Sequence, residues 1–327
     1  MPKVSVLIAA YGVEPYIERA ICSVQAQNLA DLELVIVDDA SPDGTAAVVT
    51  RMAENDPRVR LVRHQRNAGP SAARNTAIEA ARGEWLAILD GDDWIAPQRL
   101  ERLVDEAERC RADLVADDVL LVWDGEETPF GHVVKDRSEA VGFVDPAAFI
   151  DADQPGMDGF GILQPMIRRS FLDRHAIRYR EGLDRIEDFL LFVDCFAAGG
   201  RLLLLNEGMY FYRQRRGSHR VASMSIVAAL ELALHGNDLA RERLSPTADE
   251  AVMQALDRRG AAIERTLRYR RIAEPLRQGE LGAGLRQLAL DPVVARDLVV
   301  QGARIAGRRL STMWKSVGLA VPLPVWW

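Results

Sequence analysis

Leu32-Glu33-Leu34-Val35-Ile36-Val37 is a run of apolar residues that stops on Asp38-Asp39 and then on the turn residues Ser41-Pro42-Asp43-Gly44. A continuous apolar run of this length, closed by turn chemistry, predicts a strand covered on both faces. Working outward, Val4 to Ala10 is a similar run broken only by Ser5, and it starts about 30 residues earlier, the span of one βαβ unit. Between them Ile17, Ala20, Ile21 and Val24 recur at helical spacing within Glu14 to Gln27. The alternation continues: a helix over Pro42 to Asn55, a strand over Val59 to Arg63, an Ala-rich helix over Ser71 to Arg82, a strand over Trp85 to Leu89 and a helix over Pro97 to Arg111, and Leu114 to Trp123 closes the regular part. Strands alternating with helices predict an α/β fold with a mostly parallel sheet.

Beyond Asp124 the pattern loosens, with Gly and Pro scattered through Gly125 to Gly161, and order is expected again near Gln164. Ser170 to His175 reads as a helix and Ile186 to Ala198 as an amphipathic helix. Arg201 to Leu205 and Met209 to Tyr212 read as two strands, and everything from Ser225 onward reads as helical.

The chain has 327 residues, 48% of them hydrophobic and 27% charged, which fits folded protein with a sizeable core. Three unevenly spaced cysteines, Cys22, Cys110 and Cys195, match neither a disulfide framework nor a four-ligand zinc site, and point to a reducing compartment. The net charge of −7 argues against general nucleic-acid binding. It is unevenly spread: residues 257–327 carry 13 Lys and Arg against 6 Asp and Glu, a net of +7, leaving −14 on residues 1–256. Residues 1–8 do not read as a secretory leader, so none is expected, and no run of about 20 apolar residues is present to span a bilayer.

Two acidic clusters follow strand ends, Asp38-Asp39 and Asp90-Gly91-Asp92-Asp93. In open parallel sheets ligands bind beyond the carboxyl ends of the strands, so both clusters are expected in one crevice. Carboxylates gathered there repel one another unless a cation intervenes, and oxygen ligands suit Mg²⁺ or Mn²⁺, usually completed by substrate phosphates. A divalent metal and a diphosphate are therefore expected. The sequence contains no P-loop, no Gly-x-Gly-x-x-Gly after the first strand, no Gly-x-Ser-x-Gly elbow and no His-Glu-x-x-His.

Four segments in order, Val4 to Tyr11, Val37 to Thr45, Asn67-Ala68-Gly69-Pro70-Ser71-Ala72-Ala73-Arg74-Asn75 and Leu89-Asp90-Gly91-Asp92-Asp93-Trp94, resemble the inverting nucleotide-sugar glycosyltransferases of family 2, which have the GT-A fold. The resemblance implies a GT-A domain over residues 1–220, with nucleotide-sugar binding in 1–118 and the acceptor side in 119–220, and a helical C-terminal region over 221–327. It implies that Ala9, Tyr11 and Asp39 hold the nucleobase, usually uracil, with Asn67 and Arg74 beside the nucleotide. Asp90, Asp92 and Asp93 match the family's Asp-x-Asp-type motif, which contacts the ribose and the metal, with Asp92 and Asp93 as the metal ligands. Glu187-Asp188 resembles the family's Glu-Asp pair, which makes Asp188 the expected base that deprotonates the acceptor hydroxyl.

Arg213, Arg215, Ser218 and His219 match a loop that closes over the donor in relatives. The Gln-x-x-Arg-Trp motif of processive synthases is missing, so addition of one sugar is expected. Layouts of this kind imply a UDP-sugar donor and a glycan acceptor, often polyprenyl-diphosphate-linked, at the cytoplasmic face of the plasma membrane in exopolysaccharide or surface-polysaccharide synthesis. Two rivals remain at this point, a nucleotidyltransferase and a non-catalytic glycosyltransferase-like scaffold. The arginine-rich tail, with Trp314, Trp326 and Trp327, reads equally as a peripheral membrane-binding helix and as an extension packed on protein.

Overall fold

The computed structural model describes residues 1–134, 141–153, 160–215 and 225–277, together with Gly282 and Arg286. Four parallel strands form one side of the sheet: β1 (Val4–Ala10), β2 (Leu32–Asp38), β3 (Val59–Arg63) and β4 (Trp85–Ile88). All seven residues of β2 are buried, as its unbroken apolar run requires. Helices α1 (Glu14–Gln25), α2 (Thr45–Asn55) and α3 (Pro70–Ala80) connect these strands. The helix α1 buries Ile17, Ala20, Ile21 and Val24, the stripe expected from spacing. The helix α2 starts three residues later than expected, because Asp43 accepts hydrogen bonds from both the Thr45 N–H and the Thr45 hydroxyl and holds residues 41–44 as a turn.

The second side follows β5 (Trp94–Ile95) and α4 (Arg99–Cys110). It comprises β6 (Leu114–Trp123), β7 (Gly131–His132), β8 (Val141–Phe143), α5 (Pro146–Ala152), a 3-10 turn (Phe160–Ile162), β9 (Met166–Arg168), α6 (Arg169–Arg174), α7 (Glu187–Ala197) and β10 (Leu202–Gln214). Strand order along the sheet is β3-β2-β1-β4-β9-β6-β10-β5. The strand β9 is antiparallel to both β4 and β6, so β6 and β10 point the same way as the first four strands.

Three details differ from the expectation. Residues 125–161 are partly regular, since Asp145 caps α5 by accepting from Ala148 N–H at 3.0 Å and Pro146 opens the helix. The helix α7 buries nine of its eleven residues rather than one stripe, because α8 (Ile226–Leu244) covers its outer side. The two strands read on either side of residues 206–208 are one strand, β10, with register shifts around Gly208. A Cβ at Gly208 would come within 2.5 Å of the Leu120 side chain, so glycine lets β10 pass β6 there without moving Leu120.

The chain divides into two compact units, Met1–Ile263 and Glu264–Trp327, and the boundary falls within α9 (Glu250–Arg277). The helical region expected from residue 221 is thus divided, with α8 and the first part of α9 in the first unit. Among the described residues no helix is long and apolar enough to cross a membrane.

Candidate active site

The register of β1 against β2 sets Ala10 level with Asp38, and Leu7 pairs with Ile88 at the end of β4. Both acidic clusters therefore lie just beyond the carboxyl edge of the parallel strands, as their positions in the sequence imply.

At the β2 end, Asp39 is 3% exposed and works as an anchor for the next loop. Its carboxylate accepts from Ala68 N–H at 3.0 Å and Gly69 N–H at 2.9 Å, and pairs with His64 Nδ1 at 2.6 Å. This ties the loop before α3 to the tip of β2. Gly69 adopts φ +89°, a conformation that favours glycine, and Pro70 then opens α3. The result is a cleft of about 270 Å³ whose walls include Ala9, Tyr11, Asp39 and Asn67. Tyr11 is 53% exposed, so its ring is available to cover a flat ligand.

Pro70 and Asp184 also line a larger cleft of about 640 Å³, which adjoins the first. Its walls carry Arg74, Asp90, Gln164, Glu187, Asp188, Arg215 and Arg259. Arg74 is buried at its centre. The guanidinium donates to Asp90 Oδ1 at 2.9 Å through Nη2, and to Glu187 Oε1 and Asp188 Oδ1 at 3.1 Å each through Nη1. Burial works against the Arg74 cation, yet the surrounding Asp188, Tyr179, Asp90 and Glu187 hold its pKa well above the usual arginine value. One side chain from α3 thus links the acidic loop after β4 to the first turn of α7. Glu187 and Asp188 also sit where the helix dipole favours negative charge.

The acids of the loop after β4 differ in their surroundings. Asp93 is 2% exposed, and its oxygens accept from Arg213 N–H and from the Tyr210 hydroxyl at 2.8 Å each. Burial, reinforced by Asp92 and Asp90, pushes its carboxyl well above the usual range, and the same burial raises the Tyr210 phenol. The Tyr210 oxygen accepts in turn from Asp90 N–H at 3.1 Å, so this phenol closes the loop on itself. Asp92 is more open, with 28% of its side chain exposed, and accepts from Arg215 Nη2 at 3.1 Å.

Of the residues expected at the diphosphate, Arg213 packs on the acidic loop itself. Its Nε donates to the Asp92 carbonyl and its Nη1 to Asp124, and its guanidinium lies against the Tyr16 and Trp94 rings. Arg215, two residues on, lines the crevice instead. Ser218 and His219 lie outside the described residues. Motif reading missed Gln164, Asp184 and Arg259 on the cleft walls. None of the three belongs to the four segments that carry the family resemblance. Arg258 and Arg259, which the sequence groups with the cationic tail, pair with Asp151 at 2.6 Å and Asp153 at 2.7 Å. Arg259 also stacks on Phe189 and is 4% exposed.

Residues 5–134 match the family model described as Glycosyl transferase family 2. The succinoglycan biosynthesis protein ExoO of Rhizobium meliloti (strain 1021) is 33% identical over 334 residues, which span 99% of this chain and 92% of ExoO. Among solved structures, S. aureus TarS 1-349 in complex with UDP-GlcNAc aligns over 92% of each chain with a TM-score of 0.60 and 20% identity. The mannosyltransferase PcManGT from Pyrobaculum calidifontis, in complex with GDP-Man and Mn²⁺, aligns over 97% of this chain and 84% of its own with a TM-score of 0.59 and 20% identity. The mostly parallel α/β sheet with a helical C-terminal region is the layout of GT-A glycosyltransferases. With a relative 33% identical over nearly its whole length, and the family's motifs gathered in one crevice, the chain belongs to glycosyl transferase family 2 and is a glycosyltransferase.

Proposed function

We propose that the protein transfers one sugar from a UDP-sugar to a hydroxyl of a glycan acceptor, with inversion at the anomeric carbon, during assembly of an exopolysaccharide. The acceptor is carried on a polyprenyl diphosphate at the cytoplasmic face of the membrane. The observation that carries this reading is the Arg74 contact set, which joins Asp90 on the nucleotide side to Glu187 and Asp188 on the other side of the same crevice. The nucleobase would occupy the smaller cleft, between Tyr11 and the loop held by Asp39, and the sugar and acceptor the larger one. The relatedness to a succinoglycan biosynthesis protein supports the exopolysaccharide setting, and UDP-GlcNAc bound to a protein of the same fold supports the donor class.

In the reaction the acceptor oxygen attacks the anomeric carbon while the bond from that carbon to the diphosphate oxygen breaks, its electron pair leaving with UDP. Asp188 takes the proton of the attacking hydroxyl. Arg74 fixes the orientation of Asp188 and spreads positive charge towards the acidic loop.

A divalent ion fits this donor set through Asp92, whose carboxylate is an oxygen ligand at a partly open position, whereas both oxygens of Asp93 are hydrogen-bonded inside the protein. Among the described residues no group of three or more His, Cys, Asp or Glu is assembled to hold an ion by itself, so the ion in this reading is completed by the donor's diphosphate. When bound, Mn²⁺ or Mg²⁺ would offset the charge of the departing diphosphate.

Calorimetric titration with UDP, with and without Mn²⁺, tests the reading. Binding strengthened by Mn²⁺ in the wild type and insensitive to Mn²⁺ in Asp92→Asn is expected. No UDP binding by the folded wild type would sink it.

A further inference from the structure

The two clefts meet at Asp184, which stands with Pro70 on the walls of both. The other carboxylates on those walls are already engaged. Asp39 holds the Ala68 and Gly69 N–H groups, and Asp90 accepts from Arg74 through Oδ1 and from Gln164 through Oδ2. Glu187 and Asp188 share Arg74, and Asp153 pairs with Arg259. Asp184 alone among them has no hydrogen bond or ion pair to any described residue, and it is exposed. Both of its oxygens are open to donors from a ligand.

The backbone fixes where this side chain starts. Leu183 to Ile186 form a turn, closed by the Ile186 N–H donating to the Leu183 carbonyl at 3.3 Å, with Asp184 at its second position. The third position, Arg185, has φ +83°, a left-handed conformation that is costly for a residue other than glycine and that recurs at ligand-holding sites. Across the seam, a Cβ on Gly69 would lie 3.3 Å from Asp184 Oδ1 and 3.4 Å from Oδ2. Both oxygens therefore rest close to the glycine that precedes α3, on the wall of the smaller cleft.

We propose that Asp184 accepts the hydrogens of the 2′- and 3′-hydroxyls of the donor's ribose, and so selects ribonucleotide sugars over 2′-deoxyribonucleotide sugars. This rests on the UDP-sugar reading above and goes beyond it by naming the residue that reads the ribose. The order of groups along the donor carries the assignment. With the base in the smaller cleft and the sugar in the larger one, the ribose and the diphosphate span the seam where Asp184 stands. A carboxylate repels a diphosphate, whereas two neighbouring hydroxyls match its two oxygens, and an acid on ribose hydroxyls serves dinucleotide-binding folds in the same way. Asp90, which the family resemblance puts near the ribose, has one oxygen on Arg74 and the other on Gln164. A donor lacking a ribose hydroxyl leaves one carboxylate oxygen without its hydrogen and binds less well.

The test is calorimetry with Mn²⁺ and without any acceptor glycan. The probes are UDP, 2′-deoxy-UDP and 3′-deoxy-UDP, titrated into the wild type and into Asp184→Ala. The wild type is expected to bind each deoxy analogue roughly tenfold more weakly than UDP, the worth of one hydrogen bond to a charged acceptor. Asp184→Ala should weaken UDP by at least that factor and bind the three probes within about a factor of two of one another. Asp184→Asn, which keeps the shape and one acceptor oxygen, should fall between the two, and it carries the comparison if the alanine variant fails to fold. An equal loss for all three probes in the variant would mark a merely structural role and overturn the assignment. Tighter UDP binding by Asp184→Ala would set the carboxylate beside the diphosphate and overturn it as well. A wild type that binds UDP and both deoxy analogues equally overturns the assignment alone, and one that binds no UDP overturns the donor reading together with it.

Discussion

Arg74 meets three carboxylates with one buried guanidinium, and its neighbours were chosen by geometry that a lysine cannot copy. Arg74→Met takes from Asp90, Glu187 and Asp188 the guanidinium they share, and is expected to cost about 3 to 5 kcal/mol of stability in denaturant unfolding. Asp188→Asn is a smaller change. It keeps the shape and removes the proton acceptor, so sugar transfer should fall by roughly a hundredfold or more while UDP affinity stays within a factor of about three. Unchanged transfer by Asp188→Asn would move the base elsewhere. At this scale the sequence was informative about which residues gather and less so about what each one touches. Ala9, Tyr11, Asp39 and Asn67 do share a cleft. The carboxylate of Asp39, however, already receives two backbone N–H groups and His64, and Arg213 is taken up by Asp124 and aromatic rings. Motif position fixes the backbone, while side-chain partners come from strands distant in sequence, such as Tyr210 reaching back to Asp93.

Among the elements, the loop before α3 combines the most constraints in the fewest residues. Gly69 has φ +89°, and a Cβ there would lie 3.3 Å from Asp184 Oδ1. Gly69→Ala is therefore expected to lower stability by about 1 to 2 kcal/mol, read as a lower unfolding midpoint, and to weaken UDP binding in the cleft this loop lines. Equal stability and equal affinity in the alanine variant would show that the loop adapts. The strands and helices of the first half were legible because each carries a complete local signal: apolar runs for β1 and β2, and a four-residue stripe for α1. The elements that were not legible are those whose signal is shared between distant segments. The strands β5 and β9, of two and three residues, exist only because longer strands pair with them. The helix α7 looked one-sided because nothing in its own sequence announces α8, and β10 looked interrupted because Gly208 reads as a turn until Leu120 is seen against it.

For the whole molecule, the charge division between residues 1–256 and 257–327 is a long-range property that pairwise contacts only partly absorb. Arg258 and Arg259 are tied to Asp151 and Asp153 on the first unit, so a membrane-facing role for the tail would fall to later cations, Arg265, Arg268, Arg270 and Arg271, of which Arg268 also pairs with Glu264 one turn away at 3.5 Å. Flotation of the full chain with vesicles rich in anionic lipid is expected to recover the wild type at low salt. It should recover far less of a variant with these four arginines changed to glutamine, because each basic residue near such a surface contributes about 1 kcal/mol. Equal recovery of both would remove the membrane role. The crevice itself has two walls from different parts of the chain: the ends of β1 and β2 and the start of α3 build the smaller cleft, whereas Gln164 before β9, the first turn of α7, α8 and the first part of α9 line the far side of the larger one. Arg74 stands in the first wall and grips the second. If the nucleotide and acceptor occupy these two walls as proposed, heredity can treat the walls unequally: lineages of such enzymes are free to drift towards new acceptors while keeping their nucleotide, so long as Arg74, which spans the seam, is passed on.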